Sequence, residues 1–137
     1  MKTLSAADLN DKSLVDQAWS LLLKWLLEAG APACLEGRYD DHNDILWTRR
    51  SRNQMDTQQM PGRVFRPLMA RLAVLVEAPD PYGSVATFAW ESSNGTYYCR
   101  VFFCNEPTMD FWLRLYLYGG SQDWEDSQSG APVVEES

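Results

Sequence analysis

Residues 87–104 read "TFAWESSNGTYYCRVFFC", and the reading of this stretch decides the fold. Two runs of alternating apolar and polar residues flank Asn94-Gly95, the dipeptide best suited to a two-residue type I′ turn because both turn positions need positive φ. A β-hairpin follows. With Asn94 and Gly95 as the turn, Glu91 pairs with Tyr98 and Trp90 with Cys99. One face then carries Ala86, Phe88, Trp90, Cys99, Val101 and Phe103, apolar enough to be the core side. The other carries Val85, Thr87, Ala89, Glu91, Tyr98, Arg100, Phe102 and Cys104.

The same register bears on two chemistries the stretch suggests. Cys99 and Cys104 are an odd number of positions apart on one strand, so they point to opposite faces and can neither bond to each other nor hold one ion together. Asn94-Gly95-Thr96 is a glycosylation sequon in form, but turn chemistry accounts for the same residues. The chain has three cysteines and one histidine, too few convergent ligands for a tetrahedral metal site. No metal or other cofactor is expected, and the thiols are expected to be free.

Outward from the hairpin, a third strand is expected at 110–118, with Phe111, Leu113, Leu115 and Leu117 inward and Trp112, Arg114, Tyr116 and Tyr118 outward. Upstream, Leu14, Val15, Ala18, Trp19, Leu22, Trp25, Leu26 and Ala29 recur at helical spacing. Ser13 with Asp16 resembles a capping box, although that motif uses Glu or Gln, and Gly30 and Pro32 stop the helix. This helix, about 13–29, has a stripe widened by Leu21, Leu23 and Leu27, as for a helix packed on more than one side or covered by another chain. A short first turn is expected near Ser5–Leu9. Residues 33–50 suit a small hairpin around a polar turn at Asp40–Asp44. Residues 51–62, polar and non-periodic, read as a loop. Pro67 suits the first position of a second helix of about ten residues, ending before Pro79. Residues 121–137, with five acids and no base, read as a flexible acidic tail. The expected fold is therefore α+β: a long N-terminal helix, a small hairpin, a second short helix and a three-stranded antiparallel meander, in one domain over 1–120, with the tail at 121–137.

Formal net charge is −7, which disfavours non-specific attraction to nucleic acid or anionic membrane and favours a partner with a basic surface. Residues 1–15 lack a basic segment followed by an apolar run, and "AWSLLLKWLLEA" is too short to span a bilayer, so a cytoplasmic location is expected. Six of the twelve basic residues, Arg49, Arg50, Arg52, Arg63, Arg66 and Arg71, fall within 49–71, where Asp56 is the one acid. Internal pairing with the acids of 36–44 and the tail is the plainer account; a bound phosphate, RNA or acidic segment is the sharper one. No phosphate-loop, hydrolase-elbow or metalloprotease motif is present. Cys34 with His42 is a dyad without a third orienting group.

These features point to a non-enzymatic, acidic protein-binding module. The leading expectation is an inhibitor or immunity-type protein, a bacterial accessory protein that blocks a basic toxin or nuclease. The alternative is a dimeric acidic secretion chaperone holding an effector segment, and a small enzyme using Cys34, His42 and the arginines is a third class. This rests on general type alone. The expected partner-binding residues are Asp40, Asp41 and Asp44 on the hairpin turn with Tyr98, Arg100, Trp112, Arg114 and Tyr116 on the outward sheet face, a composition enriched at interfaces.

Overall fold

A computed structural model describes residues 1–9, 13–40, 42–52, 54–80, 83–104 and 112–119. It is organised by one seven-stranded mixed sheet. The strands are β1 (Lys2–Ser5), β2 (Ala33–Tyr39), β3 (Ile45–Ser51), β4 (Gln54–Met60), β5 (Gly83–Ser92), β6 (Gly95–Cys104) and β7 (Leu113–Tyr118). Two helices, α1 (Leu14–Glu28) and α2 (Phe65–Val76), complete it with short 3-10 turns at Ala6–Leu9 and Gly62–Val64. The spatial order is β1-β5-β6-β7-β2-β3-β4, with β1 parallel to β5 and every other pair antiparallel.

This corrects the expected fold. The meander and the small hairpin are not separate pieces, because β7 pairs with β6 on one side and with β2 on the other, Leu115 meeting both Val101 and Leu35. α1 is present close to its expected span but does not open the fold, since β1 precedes it. Residues 54–60, read as part of a loop, form β4. Its side chains from Gln54 to Gln59 are exposed on both faces, so there is no buried face to impose alternation. The tail at 121–137 lies outside the described residues.

The hairpin register is corrected too. Ser92 pairs with Gly95, Glu91 with Thr96 and Phe88 with Cys99, so Ser93 and Asn94 form the turn. Of the expected turn pair only Gly95 has positive φ, at 122°. The Ser92 hydroxyl captures the turn: it accepts from Asn94 N–H at 3.2 Å and donates to Gly95 O at 3.1 Å, the local side-chain chemistry that competes with a type I′ turn. The shift is two residues, and side chains repeat every two. Phe88, Trp90, Cys99, Val101 and Phe103 are therefore buried on the expected core face.

Both helices pack on that face. α1 is capped by Ser13, whose Oγ accepts from Asp16 N–H at 3.2 Å; the Asp16 carboxylate turns instead to Arg71 of α2, with contacts of 2.8 and 3.2 Å. α2 starts at Phe65, two residues before the expected first position at Pro67, and a proline in the first turn interrupts no intrahelical bond. Trp19 bridges the helices by donating from Nε1 to Leu68 O at 2.8 Å. Its ring meets Trp47 edge-on at 5.9 Å, and Trp47 meets Phe65 at 5.6 Å. Gly37, opposite Trp47, makes room for that ring: a Cβ there would lie 2.6 Å from it. Among the described residues no helix is long and apolar enough to cross a membrane.

Candidate functional site

The far face of the sheet, opposite the helices, gathers four of the expected binding residues. Tyr98, Arg100, Arg114 and Tyr116 lie on adjacent strands, with Arg100 opposite Tyr116 and Phe102 opposite Arg114. The row continues onto β2, where Tyr116 faces Cys34 and Arg114 faces Glu36. Neither the 33–50 hairpin nor α2 covers this face: the hairpin joins the sheet edge to edge and α2 packs on the other side. Even so, Cys34, Tyr116 and Tyr118 are buried and form a second apolar cluster with Tyr98 and Phe102. Burial, and then the neighbouring Cys34 thiol, raise the pKa of the Tyr116 phenol.

Glu36 anchors this cluster. Its Oε2 accepts from Arg114 Nε at 3.0 Å and from the terminal nitrogen at 2.7 Å, with Arg50 at 3.4 Å. Its side chain is 7% exposed and that of Arg114 19%, so the carboxylate needs the guanidinium beside it. The pair ties β7 to β2.

The remaining expected residues are elsewhere. Asp40 and Asp44 sit at the β2–β3 turn. Asp40 is committed to building that turn, accepting from His42 N–H at 2.8 Å, Asp44 N–H at 3.0 Å and the Gln59 amide at 2.8 Å. The His42 bond above all lowers its pKa below the ordinary carboxylate value, against partial desolvation. Asp41 lies outside the described residues. Trp112 leaves the outward row: it lies just before β7, with its backbone hydrogen-bonded to Cys104 at 2.8 Å and Gly37 at 2.9 Å. Its ring packs on Tyr39 at 4.8 Å and near Phe65 at 6.0 Å, with Arg66 over it at 5.4 Å.

The arginine segment is divided. Arg49 meets Asp56 at 2.6 Å and also donates to Trp25 O at 2.7 Å; Arg50 meets Glu36 and Arg71 meets Asp16. Of those three acids only Glu36 lies in the 36–44 segment. Arg63 and Arg66 line a cavity of about 580 Å³ with Tyr39, Asn43 and Trp112. Cys34 is buried at the start of β2 and His42 is in the turn beyond its other end, a strand length apart, so they share no proton. Among the described residues no three His, Cys, Asp or Glu side chains converge as metal ligands.

A feature missed in the sequence lies between α1 and the tip of the β5–β6 hairpin. A groove of about 700 Å³ has Leu23, Leu27, Trp90 and Tyr97 in its lining, with Lys24, Glu28 and Glu91 among its charged groups. Leu27 and Tyr97 are half-buried, so apolar surface remains in contact with water. The one signal for it was the excess width of the α1 stripe at Leu23 and Leu27. No protein-family model matches the chain, and no curated protein sequence is significantly similar to it.

Proposed function

We propose that the protein is a non-enzymatic protein-binding module of the inhibitor kind, and that the groove between α1 and the β5–β6 tip receives an apolar segment of a partner whose surroundings are basic. The groove itself carries this reading: it is concave, largely apolar and furnished with a few polar groups, the general form of a recognition site. Two carboxylates against one ammonium in its lining, on a chain of net charge −7, favour a cationic partner and salt-sensitive association. The far face serves this reading less well, since its Tyr116 is buried and its Arg114 is engaged by Glu36.

A second reading, the dimeric secretion chaperone, is favoured by the exposed β4 edge and by Leu14 and Leu21 on α1, 78% and 64% exposed. The test is affinity capture from the source cells with the tagged full chain, run beside Leu27→Asp and Glu28→Lys, with circular dichroism to verify folding. One stoichiometric partner is expected, with retention reduced about tenfold by either variant and by raised salt. No partner, or one retained equally by wild type and both variants, overturns the groove as the binding site.

A further inference from the structure

Among the described residues β4 is an edge strand without the usual protections. Natural edges carry lysines, prolines, bulges or a covering element. β4 reads Gln-Met-Asp-Thr-Gln-Gln-Met and pairs with β3 in an unbroken register from Ile45–Met60 to Ser51–Gln54. Its single charge, Asp56, is matched by Arg49 at 2.6 Å. Among the described residues, its seven residues of backbone are paired on one side only.

Beside this edge lies an apolar helix flank. Leu14, Leu21 and Trp25 fall on one stripe of α1, and Trp25 contacts β3 through Arg49, whose guanidinium lies 4.8 Å from the ring centroid. Leu21 is one turn before it. Leu14 and Leu21 of this flank are exposed, while Trp25 is half-buried against the core.

We infer that β4 is the seam of a homodimer, pairing antiparallel with β4 of a second copy about a two-fold axis through Thr57. An isologous contact must be self-complementary, and the sequence of β4 meets that condition in one register. With the axis perpendicular to the sheet, so that the helices of both copies stay on one side, only residues of equal parity can oppose each other. Centring on Asp56 would set two carboxylates face to face. Centring on Gln58 would pair only 56–60. Centring on Thr57 pairs all of 54–60, placing Asp56 opposite Gln58, Met55 opposite Gln59 and Gln54 opposite Met60, with no like charges facing. A stable dimer needs on the order of 1,200 Å² of buried surface, more than one strand pair supplies, so the α1 flanks with Leu21 and Trp25 contribute the apolar part. This inference does not rest on the groove, although Lys24 and Glu28 of the groove lining adjoin Trp25 and Leu21 on α1.

Sedimentation velocity on the full chain, from about 1 to 100 μM, tests this. The wild type should sediment at twice its 15.7 kDa mass, and Thr57→Ser should not change that. Thr57→Lys, which sets two lysines opposite at the axis, should weaken the dimer at least about tenfold, and Leu21→Glu should weaken it as well. Thr57 and Leu21 are exposed, so circular dichroism should show all three variants folded. A monomeric wild type overturns the proposal. So does a dimer whose affinity neither Thr57→Lys nor Leu21→Glu alters by more than about twofold.

Discussion

Glu36 shows how much one buried carboxylate can organise. It lies at the crossing of β7, β2 and β3, faces Arg114 across one strand pair, and accepts both of that guanidinium's inner donors on a single oxygen. Removing it takes the carboxylate from Arg114, whose side chain is only 19% exposed. Glu36→Ala should therefore cost about 2–4 kcal/mol in urea unfolding, more than a surface pair would, because the remaining charge keeps its desolvation penalty. Glu36→Gln, which can still accept, should cost less. A loss for Glu36→Ala below about 0.5 kcal/mol would mean that Arg114 finds solvent or another acceptor. The sequence placed Arg114 on the right face by alternation alone, but its partner could not be read, since Glu36 is 78 residues away. Cys99 and Cys104 were legible for the opposite reason: their relation is confined to one strand, where parity is enough.

Elements were legible in proportion to how unequal their two faces are. β5, β6 and β7 each put an apolar row on the helix side and a row of mixed composition on the other, so the period-two signal in the sequence is strong, although Tyr116 and Tyr118 of the mixed row are buried as well. β4 has no such contrast, and β1 is four residues long with only Leu4 buried; both were missed. The candidate groove was missed because Trp90 read as a core residue and Leu23 and Leu27 only as extra width of the α1 stripe, and only the packing of α1 against the hairpin tip leaves Leu27 and Tyr97 partly uncovered. At the end of α2, Glu77 occupies the left-handed region with φ of 59°, and Ala78 N–H returns to Ala73 O at 2.8 Å. This is a helix ending that glycine usually fills. Glu77 meets Lys2 at 3.4 Å, but both side chains are well exposed, at 71% and 43%, so that contact contributes little. Glu77→Gly should raise stability by about 0.5–1 kcal/mol, read as a higher urea midpoint at unchanged slope. A lower midpoint would show that the Lys2 contact, which holds β1 to α2, outweighs the backbone relief.

At the scale of the molecule, the strand order could not be deduced from local pattern, because its deciding contacts are between distant segments. β2 finds β7 across the whole middle of the chain, Leu35 opposite Leu115, and β1 finds β5 with Leu4 opposite Trp90. The helices, by contrast, are written in contiguous sequence and need no such search. This division has a kinetic consequence. Each long closure costs chain entropy before the buried residues around Leu115 return any stability, so the centre of the sheet cannot form early on local contacts alone. Refolding followed by the fluorescence of the buried Trp19 and Trp47 should accordingly have a main phase between about a millisecond and several seconds, slower than helical bundles of similar size. Leu115→Ala should destabilise by about 2–5 kcal/mol. If β6–β7–β2 docking is the late step, most of that loss should appear as faster unfolding with little change in the folding limb. A main phase complete well within a millisecond would show instead that the helices and the β5–β6 hairpin define the transition state and that the β2–β7 closure contributes no barrier.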